Sequence, residues 1–131
     1  MQKLKSILWL ACLLIASSSF AQSKIIAVMT KAKWCGICKA NEQRAISNFN
    51  KNNSDAFFQL LTNDITDKSS KASSVLELEK NGVSSSTKKI GSVAKITFIA
   101  ADSKKVWKQI SISKTDQQLL EAMQKARALV K

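Results

Sequence analysis

The sequence contains no histidine, no tyrosine and no proline among its 131 residues. Without histidine, the chain cannot form imidazole general bases, Ser-His or Cys-His nucleophilic sites, or metal sites that need an imidazole ligand. Three cysteines and three glycines are too few for a disulfide-dense scaffold or for glycine-rich loops. With 45% hydrophobic and 23% charged residues, the chain nevertheless has the composition of a globular domain.

Residues 1–21 have the pattern of a secretory signal peptide. Two lysines precede an apolar run of ten residues, 7–16, and small side chains follow at the positions that predict cleavage after Ala21. A membrane anchor is the alternative, but a spanning helix needs about 20 apolar residues, and this run is too short. We therefore expect an exported protein, in the periplasm or secreted, whose mature domain comprises residues 22–131.

The three cysteines indicate a redox pair. Cys12 lies inside the predicted signal peptide. Lipid attachment at Cys12 is an alternative, but it requires cleavage after Ala11, and the apolar run before that point is then too short for a signal peptide. Once the signal peptide is removed, Cys35 and Cys38 remain, both in one motif. Because disulfides form and persist outside the cytosol, export favours disulfide chemistry at these two residues.

The net charge of the sequence is +12, and loss of the two lysines of the signal peptide lowers it by two. A charge of this size suggests nucleic acids or anionic membranes as partners. The lysines, however, are scattered and lack the interleaved aromatic residues on which bases stack. We therefore predict no nucleic-acid binding, and expect a solvated surface or acidic partners. The lysines concerned are Lys51, Lys68, Lys71, Lys80, Lys88, Lys89, Lys104, Lys105 and Lys108.

The hydrophobic pattern predicts seven elements in the order strand, helix, strand, helix, strand, strand, helix. A βαβ half followed by a ββα half predicts an α/β domain with a mixed central sheet and helices on both of its faces. The loop 83–93 is long for a compact domain, and is expected to be mobile or functional. The predicted strands are 24–30, 56–62, 96–100 and 106–112; the predicted helices are 36–52, one that Ser69 or Ser70 caps and that ends at Asn81, and one that begins with a capping box at Thr115.

A Cys-x-x-Cys motif stands where the first strand ends and the first helix begins; residues 34–39 read Trp-Cys-Gly-Ile-Cys-Lys. With Cys35 as the N-cap, one helical turn brings the sulfur of Cys38 within bonding reach. Cys35 then faces backbone N–H groups at the positive end of the helix, and these groups stabilise its thiolate. We therefore predict that Cys35 is the nucleophile. Cys38 lies deeper on the apolar face and suits the resolving role, in which it releases the substrate from a mixed disulfide.

Other uses of this motif are less consistent with the sequence. A structural disulfide across four residues closes too small a loop to stabilise the fold much. A zinc site needs four ligands, so two thiolates without histidine need a second chain. A c-type haem attachment requires histidine after the second cysteine, where this sequence has Lys39. We therefore predict thiol chemistry at this motif, and keep a metal or cluster shared by two chains as an alternative.

The residues from Trp34 to Glu42 read W-C-x-x-C-K-x-x-E. This motif resembles that of exported thioredoxin-fold proteins related to the C-terminal thioredoxin domain of the transmembrane reductase DsbD, and the segment 60–66 is similar to the second strand of that group. The resemblance implies a thioredoxin-like fold, a Cys35–Cys38 disulfide that exchanges with protein thiols, attack by Cys35 first, and no bound cofactor. The partners expected of a monomer of this kind are exported proteins with thiols or disulfides, and a membrane thiol reductase is a further candidate.

Two positions depart from the pattern of thioredoxins. Met29 stands where thioredoxins have a buried aspartate. Val93-Ala94 stands where they have a cis-proline before the third strand. A cis bond before Ala94 costs about 3 kcal/mol, so we expect a trans bond and a reshaped loop. The alternative function is therefore a non-catalytic thioredoxin-fold module for binding or chaperoning, which keeps the motif without turnover.

Side chains around the cysteines complete the predicted site. Glu42 lies one turn beyond Cys38 and is a candidate catalytic acceptor for its proton; the alternative is a surface glutamate that pairs with Lys39 or Arg44. Ile37 replaces the proline of thioredoxins, and its N–H is expected to raise the reduction potential above the roughly −270 mV of thioredoxin. The residues predicted to contact substrate are Trp34, Gly36, Ile37, Val93 and Ala94.

Overall fold

The computed structural model describes residues 22–83 and 92–130. All seven predicted elements are present there, with ends that lie at most three residues from the predicted ones. The predicted signal peptide, 1–21, and residues 84–91 of the predicted loop lie outside the described residues. The strands are β1 (Ile25–Lys31), β2 (Phe58–Asp64), β3 (Lys95–Ala100) and β4 (Val106–Ser111); the helices are α1 (Gly36–Lys51), α2 (Lys68–Lys80) and α3 (Asp116–Leu129).

The four strands form one mixed sheet in the order β2-β1-β3-β4. β1 pairs with β2 in parallel and with β3 antiparallel, and β4 pairs antiparallel with β3, as predicted for a βαβ unit followed by a ββα unit. The register opposes Lys31 to Asp64 and Thr30 to Lys95. The end of β1, the end of β2 and the start of β3 therefore meet at one end of the sheet, which we call the motif end because the Cys-x-x-Cys segment follows β1.

Alternation of side chains along the strands divides the apolar residues between the two faces of the sheet. α1 and α3 cover one face and α2 covers the other, which confirms the prediction of helices on both faces. The larger cluster, the main core, contains both cysteines of the motif together with Ile25, Ala27, Met29, Ile96, Phe98, Ala45, Phe49, Leu119, Ala122, Met123 and Ala126. The smaller cluster consists of Ile26, Val28, Leu61, Leu78, Val83 and Ile99.

Side-chain hydrogen bonds define where α2 and α3 begin. α2 begins after Asp67, whose Oδ1 accepts the Ser70 N–H at 2.8 Å. The prediction of a serine cap is therefore wrong, because a carboxylate one turn earlier supplies the stronger acceptor. The bond from the Ser70 backbone also lowers the pKa of the Asp67 carboxyl. The predicted capping box of Thr115 with Gln118 is confirmed.

Candidate active site

Cys35 is the N-cap of α1. Its backbone is extended, with φ −84° and ψ 112°, and its Sγ accepts the Cys38 N–H at 3.1 Å. The helix proper begins at Gly36, which confirms the predicted local geometry of the motif. Because the first N–H groups of a helix lack intrahelical acceptors and lie at its positive end, this position stabilises a thiolate. In this oxidised form the N–H that reaches the Cys35 sulfur is that of Cys38 rather than that of Ile37.

Cys35 and Cys38 are joined by a disulfide, with their Cα atoms 5.2 Å apart. Cys35 keeps 6% of its surface exposed, whereas Cys38 keeps 1%. Cys35 is therefore the more accessible of the two, but it is less exposed than a thiol freely reachable from solvent. The reason is that the N-cap packs into the main core together with the buried Ala32 and Ala94.

An exposed and largely apolar surface stands beside this disulfide, formed by Trp34, Gly36 and Ile37; we call it the rim. Trp34 is 62% exposed and Ile37 is 50% exposed. Apart from its chain neighbours and the backbone of its own helix, a Cβ at Gly36 would meet no heavy atom of the described residues within 4 Å, so the rim is open toward them at that point. Exposed apolar side chains that lie together are typical of surfaces that contact a partner.

Thr66, in the turn after β2, holds the segment that precedes the motif. Its Oγ1 accepts the Lys33 N–H at 2.9 Å, and its carbonyl accepts the indole N–H of Trp34 at 3.3 Å. The Thr66 hydroxyl donates in turn to Asp64, and this bond, with the nearby charges of Lys31 and Lys33, holds the pKa of Asp64 below its ordinary value against the effect of burial. Thr66 is not among the residues predicted from the sequence, although the Asp-x-Thr spacing is typical of a side-chain turn.

Glu42 forms an ion pair with Lys31 at the end of β1, and Lys31 Nζ lies 2.5 Å from Glu42 Oε1. Both side chains are 28% exposed, so the pair is half-buried. The alternative partners considered from the sequence, Lys39 and Arg44, are wrong. The packing of α1 on the sheet brings Lys31 close to Glu42. Arg44 turns instead toward the loop before α3, where it donates to the Ile112 carbonyl at 2.7 Å.

The segment before β3 crosses the motif end of the sheet. The Ala94 N–H donates to the Thr30 carbonyl at 2.8 Å, and the Ala94 carbonyl accepts the Ile112 N–H at 2.9 Å. Ala94 is buried and has φ +62°, in the left-handed region, and the described residues contain no cis peptide bond. The trans bond expected from the sequence is therefore present, and a left-handed residue stands directly before β3. Val93 packs partly buried against the main core.

All the residues predicted for the site lie at the motif end of the molecule. Cys35, Cys38 and Ala94 share the main core, and Glu42 reaches the end of β1 through its ion pair. Met29 is buried in the same core, so an apolar side chain occupies the position at which thioredoxins have aspartate. Residues 22–83 and 92–130 contain no group of three or more acidic or thiol side chains that could hold a metal ion. In the same residues, no helix combines the length and apolar character that a membrane crossing requires.

Comparison with solved structures identifies the fold. The protein Trxlp from Edwardsiella tarda superposes with a TM-score of 0.51 at 10% identity, covering 78% of this chain and 84% of that one. A thioredoxin from Fasciola hepatica gives a TM-score of 0.51 at 15% identity, over 80% of this chain and 83% of the other. The germline-specific thioredoxin Deadhead from Drosophila melanogaster gives a TM-score of 0.50 at 18% identity, over 79% of this chain and 82% of the other. No protein-family model and no curated protein matches the sequence.

The chain therefore has a thioredoxin-like α/β fold, as predicted. A Cys35–Cys38 pair stands at the start of the first helix of this fold.

Proposed function

We propose that the protein is a thiol–disulfide oxidoreductase that exchanges disulfides with protein thiols through Cys35 and Cys38. The observation that carries the proposal is the position of Cys35, which caps α1 with its Sγ accepting a backbone N–H and is joined by a disulfide to Cys38 one turn later. A sulfur held at the positive end of a helix is a good nucleophile and a good leaving group, because the thiolate is stabilised in both roles.

The exchange transfers two electrons between the cysteine pair and a substrate. In the reducing direction the Cys35 thiolate attacks a substrate disulfide, forms a mixed disulfide and releases one substrate thiolate, which takes up a proton. The Cys38 thiolate then attacks Cys35 Sγ, releases the second substrate thiolate and forms the Cys35–Cys38 disulfide. The substrate is reduced and the pair is oxidised; the reverse sequence oxidises a substrate dithiol.

Glu42 is proposed to accept the proton that Cys38 loses in the second step. It lies one helical turn beyond Cys38, and side chains at this spacing occupy the same helix face. Its ion pair with Lys31 fixes the carboxylate near the motif end of β1. Because the aspartate of thioredoxins is replaced by the buried Met29, Glu42 is the carboxylate that we assign to this role.

We further propose that the protein works outside the cytosol, in the periplasm or secreted, as a monomer. The support is the pattern of residues 1–21, whose lysines, apolar run and small residues match a signal peptide. The partners are then exported proteins with thiols or disulfides, and a membrane thiol reductase is the candidate source of electrons. Fractionation of cells that express the chain with a C-terminal tag tests the location; recovery in the cytosol alone contradicts it.

The test of the activity uses a Cys38→Ser variant as a trap and Cys35→Ser as its matched control, both in a Cys12→Ser background. The trap should accumulate mixed disulfides with cellular proteins, which mass spectrometry identifies, and the control should accumulate none. With both cysteines present, the protein should reduce insulin in the presence of dithiothreitol. Equal insulin reduction by wild type and Cys35→Ser would refute catalysis through this pair.

A second candidate function is a binding module without turnover. The observations that favour it are the small exposed fraction of Cys35 and the positive φ of the non-proline residue Ala94 beside it. Such a module would bind partners through the rim, and its binding would be the same for wild type and Cys35→Ser. The insulin and trapping assays therefore separate the two functions.

A further inference from the structure

A shallow groove of about 370 Å³ lies between β4 and α3. Four of the described residues that line it are lysines: Lys95, Lys108, Lys114 and Lys125. Glu121 is the one acidic residue among them, and its carboxylate accepts a hydrogen bond from a glutamine one turn earlier at 3.1 Å. The groove therefore carries a clear excess of positive charge.

Among the residues that the structure describes, these lysines have no carboxylate partner, as is true of most other lysines there. The ion pairs within residues 22–83 and 92–130 involve Lys31, Lys80, Arg44 and Arg127, and none of them involves a lysine of the groove. Three of the groove lysines are exposed, and Lys95 is half-buried. Since nearby like charges repel, an acidic ligand that lies among them removes an unfavourable interaction as well as adding favourable ones.

The groove starts beside the candidate active site. Lys95 begins β3 at the motif end and is opposite Ser111 of β4. Lys114 is held at the same end, where its N–H donates to the Ser111 carbonyl at 3.2 Å. Lys108 lies three residues before Ser111, so the lysines of β4 and α3 extend the positive surface about 10 Å away from the motif end.

β4 also offers backbone partners. In the part of the chain that the structure describes, β4 pairs only with β3 and is an edge of the sheet. The N–H and C=O groups on the outer side of an edge strand can hydrogen-bond to an added extended segment. A polypeptide can therefore use the free edge and the lysines together.

We infer that this groove binds an acidic, extended segment of the substrate polypeptide next to the cysteine that exchanges with Cys35. The inference rests on the proposed function and adds to it the class of substrate: proteins whose reacting cysteine has glutamates or aspartates within several residues. The same charge attracts nucleic acids, but the described lining residues include no aromatic side chain on which a base could stack. The free strand edge likewise suits a polypeptide.

The test measures how fast a reduced trap protein reacts with two peptides of equal length. Each peptide carries one cysteine as a mixed disulfide with thionitrobenzoate; runs of glutamate flank the cysteine in one peptide, and runs of glutamine in the other. The full-length chain with Cys12→Ser and Cys38→Ser attacks the peptide sulfur through Cys35. The Cys35–peptide disulfide forms, and coloured thionitrobenzoate leaves with the electron pair.

Two double variants of this parent are compared. Lys108→Gln/Lys125→Gln removes two charges from the groove. Lys51→Gln/Lys105→Gln removes the same net charge from exposed positions at the end of α1 and in the β3–β4 turn, at the opposite end of the sheet. The second variant is the matched control for the overall charge of the protein.

The parent should trap the glutamate peptide about tenfold faster than the glutamine peptide at low ionic strength, which corresponds to about 1.4 kcal/mol. Added salt should reduce this preference, because exposed charges are screened. The groove variant should lose most of the preference, and the control variant should keep it. Equal loss in both variants overturns the inference, since overall charge then explains the attraction.

Failure of the proposed function gives a different result. In that case all three proteins react with both peptides no faster than free cysteine does, and binding of a cysteine-free fluorescent glutamate peptide tests the groove alone. Binding that depends on Lys108 and Lys125 supports the groove, and absence of binding overturns it. A single-stranded oligonucleotide of the same charge is the competitor; if it binds the groove more tightly than the peptide, the assignment to a polypeptide is wrong.

Discussion

Proline at position 94 should destabilise this protein, although thioredoxins have proline at the corresponding position. Ala94 has φ +62°, whereas the ring of proline fixes φ near −65°. Proline also lacks an N–H, and the Ala94 N–H donates to the Thr30 carbonyl at 2.8 Å. Ala94→Pro therefore requires a different backbone conformation and removes a hydrogen bond at the motif end.

The cost follows from these two effects. A buried hydrogen-bonding group left without its partner costs about 1–3 kcal/mol. A change in φ adds to this, because the bond from Ile112 and the burial of Ala94 in the main core hold the segment in place. We expect the free energy of unfolding to fall by at least about 3 kcal/mol, comparable to proline forced into a helix. In a domain of this size the midpoint of thermal unfolding then falls by more than about 10 °C.

Thermal and urea unfolding of the oxidised protein, followed by circular dichroism, measure the effect. Ala94→Gly is the matched control: glycine accepts a positive φ, which relieves roughly 1 kcal/mol of strain, while the loss of a buried methyl costs about 0.8 kcal/mol. Its stability should therefore stay within about 1 kcal/mol of wild type. If Ala94→Pro unfolds at the wild-type temperature, the reasoning is refuted, because the segment then reaches the proline conformation without cost.

Four further predictions concern the motif, its proton acceptor and a distant ion pair. Gly36→Ala should keep or slightly raise stability, yet slow insulin reduction several-fold while leaving reaction with small thiol reagents unchanged; a parallel loss with both substrates would contradict a role in substrate contact. Ile37→Pro should make the reduction potential more negative in glutathione buffers, since it removes an N–H from the first turn beside the thiolate, and a more positive value counts against this role. Glu42→Gln should slow release of the mixed disulfide at least tenfold at neutral pH and less at high pH; a pH-independent loss would indicate a purely structural role. Hydrogen bonds from Arg127 lower the pKa of Asp55 to about 2, so the stabilisation they provide is complete above its ordinary pKa and is lost as the pH falls through about 2. Urea titrations should show the stability difference between wild type and Asp55→Asn shrinking in that range; a constant difference would exclude this linkage.

The parts of the site that depend on neighbours in the sequence were predictable. Cys35 as the N-cap follows from a spacing of three residues to Cys38, and the capping box of Thr115 follows from the same spacing. Both arrangements need only one turn of helix to form. The order of elements likewise determined the mixed sheet, because a βαβ unit and a β-hairpin leave few ways to pair four strands.

The contacts between distant residues were not predictable. Glu42 is nearer in sequence to Lys39 and Arg44 than to Lys31, and only the packing of α1 on β1 selects the strand lysine. Thr66 reaches Lys33 across 33 positions of sequence through the parallel pairing of β1 and β2. The small exposed fraction of Cys35 depends in the same way on how the segment before β3 folds over the motif.

Among residues 22–83 and 92–130, β4 has a free edge, and this edge matters for contacts between identical chains. An edge strand is a surface at which two copies of a protein can join their sheets. If two copies joined through β4, Lys108 and the neighbouring lysines of both copies would come close together, and like charges placed opposite each other across paired strands repel. The positive side chains around β4 therefore oppose self-association and aggregation through this edge.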